Sequence, residues 1–337
     1  DTEIKRAQVM GVDGFPVFTR KAATDVSYIA NARKLLGMTD RIYPQFATHN
    51  AHTVAAVLHM GQDKEAYEFQ RLHGMGETLH NIVLKEHASR CRIYAPVGAH
   101  KDLLAYLVRR LLENGANSSF VNQIVDEDVT PEEVAADPFT KLDDLIPVIP
   151  TGTEIFHPLR ANARGFDLHH TPTLTAIEEA RTPFARAKWD AAPLVAGGGT
   201  GGTPQQVRTP AGLASPGTVR PATPADVAKA LDAATPWNVS LEERCTTLLR
   251  AADIYEERYG EIFALLTREA GKGLPDCVAE LREAVDFLRY YAAQATNPPP
   301  AGIFTCISPW NFPLAIFLGQ ISAALAAGNA VLAKPAE

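Results

Sequence analysis

The sequence predicts an α/β chain with two separate regions of parallel strands. Three observations predict it. Between residues 42 and 112, short apolar runs alternate three times with amphipathic stretches. Between residues 151 and 221 this patterning dissolves into Gly, Pro and Thr. Near the end, an apolar run, a helical stretch and a second apolar run follow one another within residues 302–333. Parallel strands are expected in both patterned regions, because the helix between two runs acts as a crossover that a tight turn cannot replace.

The elements follow in order. Thr2 to Met10 reads as a helix, and Ala23 to Leu36 as an amphipathic one, with Val26, Ile29, Ala30, Leu35 and Leu36 on one side. Ile42 to Ala47, Tyr67 to Leu72 and Cys91 to Val97 read as strands. Each precedes a helix: Ala51 to Met60, Glu77 to Lys85 and Lys101 to Leu112. Three such units fit the later half of a (β/α)8 barrel, and a doubly wound sheet gives the same local pattern. Val121 to Pro150 is acidic. Thr130-Pro131-Glu132-Glu133 opens a helix there, with a capping hydroxyl, a first-turn proline and carboxylates at the positive helix end.

Residues 151–221 are expected to form a linker or irregular segment without a compact core of its own, most of all at Gly197-Gly198-Gly199-Thr200-Gly201-Gly202. A last domain is expected over 222–337, after a first over 1–150. Thr223 and Ser240 each start a helix with N-terminal cap chemistry. Leu241 to Leu266 and Leu281 to Ala295 are long amphipathic stretches. Gly302 to Ile307 and Ala330 to Ala333 read as strands around a helix from Leu314 to Ala327, one βαβ unit.

Composition narrows the function. Apolar residues make up 46% of the chain and charged residues 21%, an ordinary globular balance. A net charge of −7 argues against nucleic-acid binding, which needs clustered Lys and Arg. The four cysteines lie far apart, so neither a disulfide framework nor a zinc ribbon is expected, and a reducing compartment is. No apolar run reaches membrane-spanning length, and the acidic start is unlike a signal peptide. His73, His80 and His87 recur every seventh residue across a strand, a turn and a helix. They and His169-His170 lack metal-site spacing, and no metal is expected.

Arg109-Arg110 is the sharpest feature of the first half. Adjacent helical residues lie about 100° apart, so both serve one ligand only where it sits over the side between them. Glu113 is close enough along the helix to orient either guanidinium. A guanidinium suits a carboxylate or a phosphate. A solvated basic face accounts for the same spacing.

Four stretches, in order, carry a resemblance: Thr19-Arg20-Lys21; Phe46-Ala47-Thr48-His49-Asn50; Gln70-Arg71-Leu72-His73-Gly74-Met75-Gly76-Glu77; and Tyr94 to Gly98 with Tyr106 to Phe120. They resemble the end of a proline dehydrogenase barrel. The resemblance implies that Arg109 and Arg110 pair with the proline carboxylate and that Tyr94 and Leu72 pack around its ring. It also implies that Thr19, Lys21, Thr48, His49, Asn50, Glu113, Ser119 and Phe120 line FAD. The second half carries Ser308-Pro309-Trp310-Asn311-Phe312-Pro313 and, further on, Lys334-Pro335-Ala336-Glu337. These resemble the start of the Rossmann-like cofactor domain of an aldehyde dehydrogenase. That likeness makes Asn311 an oxyanion donor and places Ser308, Trp310, Lys334 and Glu337 at NAD. The nucleophilic cysteine and the general base would lie beyond Glu337, and the early barrel strands before Asp1. Cys306 is expected to be a buried core thiol.

The two halves in this order resemble the bifunctional family that oxidises proline to glutamate. The implied sequence is FAD-dependent oxidation to pyrroline-5-carboxylate, then NAD-dependent oxidation of glutamate semialdehyde. A quinone would accept the flavin's electrons. The resemblance further implies a cytoplasmic homo-oligomer with peripheral contact at the inner membrane. Two other readings stand beside it. One is a catalytically incomplete chain acting only in assembly or interaction. The other is an unrelated barrel that uses Arg109-Arg110 for a phosphate.

Overall fold

A computed structural model describes residues 2–114, 126, 128–142, 149–210, 212 and 214–336; the side chains at 111, 113 and 114 lie outside the description. The chain divides into two compact units, Phe18–Val148 and Asp1–Val17 with Ile149–Glu337. This division differs from the expected segments: helix α1 (Thr2–Met10) belongs with the later residues. Its partners are there, since Gln8 donates to Pro150 O at 2.8 Å, Arg282 to Val9 O at 2.9 Å and Gly165 N to Gly11 O at 2.7 Å.

In the unit Phe18–Val148, α2 (Lys21–Leu36) precedes three strand–helix pairs: β1 (Gln45–Ala47) with α3 (Ala51–Met60), β2 (Glu68–Leu72) with α4 (Glu77–His87), and β3 (Cys91–Tyr94) with α5 (His100–Asn114). The strands are parallel in the order β1-β2-β3, with Ala47 beside Gln70 and Leu72 beside Tyr94. The strands are shorter than expected. Pro44 and Pro96 flank the sheet, and a proline supplies no ladder N–H. The core is Ala32, Phe46, Val54, Val57, Tyr67, Phe69 and Val83. Full burial of a side chain such as Phe69 contributes about 1.5–3 kcal/mol. The expected Thr130 cap is present on the single turn α6 (Pro131–Val134), where Thr130 and Glu133 form a reciprocal capping box.

The second unit is built on helices: α7 (Thr171–Arg181), α8 (Pro224–Ala233), α9 (Leu241–Glu257), α10 (Tyr259–Glu269), α11 (Leu274–Gln294) and α12 (Ala315–Ala326). Its core joins Leu248, Phe263, Cys277, Leu281, Val285, Leu288 and Leu318 with Ala163 and Ile177. The expected single helix over Leu241–Leu266 is broken at Arg258, whose φ of −94° and ψ of 20° are not helical. The break lets α10 approach α7 closely at Gly260, where a Cβ would meet Ala180 O at 2.3 Å. Strands β7 (Ile303–Ile307) and β8 (Ala330–Lys334) pair in parallel around α12, the expected βαβ unit.

The expected irregular linker is corrected in part. Residues 151–221 contain α7 and a small sheet of β4 (Trp189–Ala191), β5 (Gln205–Gln206) and β6 (Gly217–Val219). Ala163 and Ile177 bury themselves in the helical core, so the segment uses its neighbours' core. The Gly-rich stretch is held by α8. Lys229 donates to Gly197 O and Gly198 O, both at 2.7 Å. Asp226 accepts from Thr200 N at 2.9 Å, Gly201 N at 3.2 Å and Thr223 N at 2.8 Å. These donors, Thr223 first, hold the Asp226 carboxyl well below the usual carboxylate range.

Limited proteolysis of the wild-type chain at neutral pH is therefore expected to spare 197–202. Asp226→Ala is expected to make that stretch the first site cut. Because the folded-state pKa is lowered, the loop's stabilisation is complete well above the ordinary Asp value of 3.8 and is lost as pH falls below it. Equal cutting rates in the two proteins would refute this account of the loop.

Candidate active sites at the ends of parallel strands

Parallel strands carry their chemistry where the strands end, because the loops that follow are free to vary there. Thr48, His49 and Asn50 follow β1, Leu72 ends β2 and Tyr94 ends β3. Asn50 caps α3, accepting from His52 N at 2.9 Å, and Thr48 Oγ1 accepts from Asn50 N at 3.1 Å. His49 Nε2 accepts from Leu72 N at 3.3 Å, which joins the first two strand ends and leaves the ring proton on Nδ1.

Two residues assigned no site role from the sequence, His80 and Arg71, complete this cluster. His80 is fully buried and its Nε2 meets Thr48 O at 3.0 Å. A carbonyl accepts, so the proton sits on Nε2. Nδ1 has no hydrogen-bond partner among the described residues. Protonating Nδ1 would bury an unsatisfied donor, and burial lowers the His80 pKa. The histidine rings meet edge-on at 6.3 Å. Arg71, also buried, donates to Leu72 O at 3.3 Å and lies 3.5 Å from Glu77. Burial foremost, then the neighbouring His80, Arg71 and Arg110, lower the His49 pKa. His49 is thus a neutral N–H donor among cations.

Gly76 keeps room for both rings. It has a φ of +63°, and a Cβ there would meet His49 Cδ2 at 2.8 Å and His80 Cδ2 at 3.3 Å. Gly76→Ala is expected to destabilise the chain by about 1–3 kcal/mol in chemical denaturation, through strain and the displaced ring. An unchanged midpoint would refute that packing.

Arg110 is half-buried on α5, with its guanidinium 5.2 Å from the Tyr106 ring centre; Tyr106 in turn lies 6.3 Å from Tyr94. Arg109 is exposed on the same turn. Lys21 opens α2 and pairs with Asp25, and Thr19 is half-buried two residues before it. Ser119 and Phe120 lie outside the described residues, as does the Glu113 side chain.

The second cluster lies at the ends of β7 and β8. Ile307 stands beside Lys334 in register, and Ser308 N donates to Lys334 O at 3.0 Å. Ser308 is buried. The loop it begins presents Trp310, 79% exposed, and Asn311, also exposed. Lys334 is exposed at the β8 end, and Glu337 lies outside the described residues. Cys306 is buried within β7, and burial raises its pKa, which suits a core thiol. Among the described residues no His, Cys, Asp and Glu group could hold a metal ion, and no helix is long and apolar enough to cross a membrane.

The chain therefore holds part of a proline dehydrogenase domain followed by the start of an aldehyde dehydrogenase domain. The proline dehydrogenase family matches residues 1–123 and the aldehyde dehydrogenase family residues 198–337. Its full length is 48% identical to the Bifunctional protein PutA of Escherichia coli, of which it covers 28%. A crystal structure of a Bradyrhizobium japonicum proline utilization A mutant is 44% identical with a TM-score of 0.80, over 100% of this chain and 34% of that one. Over 29% of this chain, a 1-pyrroline-5-carboxylate dehydrogenase of Halalkalibacterium halodurans is 41% identical, with 23% of that protein covered. Over its full length the chain is similar to bifunctional PutA proteins, and it spans less than a third of the curated relatives it matches end to end.

Proposed function

We propose that a protein containing this chain oxidises proline to pyrroline-5-carboxylate and then oxidises glutamate semialdehyde, the ring-opened form, to glutamate. The reading rests on one observation: two clusters, each at the carboxyl ends of parallel strands, lie in the order proline dehydrogenase, then aldehyde dehydrogenase. Flavin and NAD, when bound, supply the electron acceptors of the two steps.

The donor set at β1 to β3 fits a flavin. His49 offers a neutral N–H, and Arg71 and Arg110 put positive charge around it. Thr19, Lys21, Thr48, His49 and Asn50 would hold it, with Glu113, Ser119 and Phe120. Arg109 and Arg110 would bind the proline carboxylate and fix the ring against Tyr94 and Leu72. At β7 and β8 the exposed Trp310 and Lys334 fit a dinucleotide, with Ser308 and Glu337 beside it. Asn311 would donate its amide to the oxygen that gains charge when a nucleophile adds to the aldehyde. A quinone as electron acceptor, a peripheral membrane contact and a homo-oligomeric state belong to the same proposal.

The test is a full-length protein containing this chain. Proline is expected to reduce an added quinone analogue, and glutamate semialdehyde is expected to reduce NAD. Binding of phosphate without flavin, with neither activity, would overturn the reading.

A further inference from the structure

The loop that carries Asn311 is fixed at both ends by buried polar side chains. At the strand end the Ser308 hydroxyl donates to Pro309 O at 3.2 Å, with Phe312 O at 3.4 Å also in reach. At the helix end stands Glu280 of α11, only 1% exposed. Its Oε2 accepts from Ala315 N at 2.8 Å and Leu314 N at 3.3 Å, the amides that open α12. Its Oε1 faces Lys272 Nζ at 3.0 Å. That ammonium also lies 4.9 Å from the ring centre of Phe312, the neighbour of Asn311.

A buried ion pair seldom stabilises a fold more than well-packed apolar groups would. What this pair does achieve is geometric. The carboxylate fixes where α12 begins, and the ammonium fixes the ring next to Asn311. We propose that Glu280 and Lys272 are positioning residues for Asn311: they hold the Ser308–Pro313 loop so that the amide meets the developing oxyanion. This rests on the reading of Asn311 given above. Neither residue has to touch substrate, and Asn311 itself is exposed, so the loop needs support from behind.

The test uses E280Q, K272M and N311A in a full-length protein containing this chain. Gln keeps an oxygen for the two amides but gives up the charge that holds Lys272. E280Q is expected to lower kcat for semialdehyde oxidation about tenfold, with the KM for NAD and the proline activity unchanged. In the N311A background E280Q is expected to add nothing, because its effect passes through Asn311. K272M leaves the helix cap in place and is expected to behave alike, which decides the matter if E280Q fails to fold. Wild-type kcat in both single variants, or an equal further loss in the N311A background, would overturn the positioning role. An unaltered kcat in N311A alone would instead overturn the oxyanion reading.

Discussion

Asn311→Ala, made in a full-length protein containing this chain, is expected to lower kcat for semialdehyde oxidation by about a hundredfold or more. NAD affinity should change little, and proline oxidation should not change. The size follows from electrostatics. A donor already aimed at the site of charge development costs no reorganisation during the reaction, and removal of one such donor costs about 2.7–4 kcal/mol. The loop suits that role. Prolines 309 and 313 stiffen it, Ser308 and Glu280 fix its ends, and Asn311 is exposed where a substrate can reach it. The first amides of α12 lie just beyond and are held by the Glu280 carboxylate, so the helix start is fixed where the loop ends. Steady-state kinetics with separate NAD titration decides the matter. Loss of NAD binding, or an unfolded domain, would make Asn311 a structural residue.

Most of the local architecture was legible in the sequence. The three strand–helix units and the terminal βαβ unit announced themselves by their change of period. Thr130 and Thr223 announced their helices, and both form reciprocal capping boxes. Helix α7 was missed although Leu174, Ile177 and Ala180 recur at helical spacing after Thr171-Pro172. The surrounding Gly, Pro and Thr obscured an eleven-residue element. Helix α11 also starts ahead of the expected Leu281, at Leu274, with Pro275 in its first turn. The break at Arg258 had no local cause to read, since it answers to the approach of α7. The same holds for the residues that organise the two sites. Arg71, His80, Glu280 and Lys272 act on partners brought near by folding, and no periodicity records such contacts. The Gly-rich stretch failed as a free linker for this reason: Asp226 and Lys229, which hold it, sit some thirty residues away.

Arg110→Met in the same full-length protein is expected to raise the KM for proline at least tenfold. A charge-assisted bond to a desolvated carboxylate contributes about 1.5–3 kcal/mol, and about 1.4 kcal/mol is a factor of ten. Met keeps the length and helix propensity of the side chain, so the change removes charge and not the helix. The surroundings support Arg110 more than a solvated basic face would. It is half-buried against Tyr106, which reaches back to Tyr94 at the end of β3, and its charge acts on His49 at the end of β1. That last effect gives an independent readout. Loss of a neighbouring cation favours the protonated ring, so the lowered His49 pKa should rise toward its ordinary value in the variant. NMR titration of His49 measures this without turnover. A raised KM with a raised His49 pKa places the guanidinium charge at the proline site. A raised pKa with an unchanged KM keeps Arg110 near the strand ends but removes it from substrate binding. If neither moves, α5 presents only a solvated basic face, and the carboxylate must be held elsewhere.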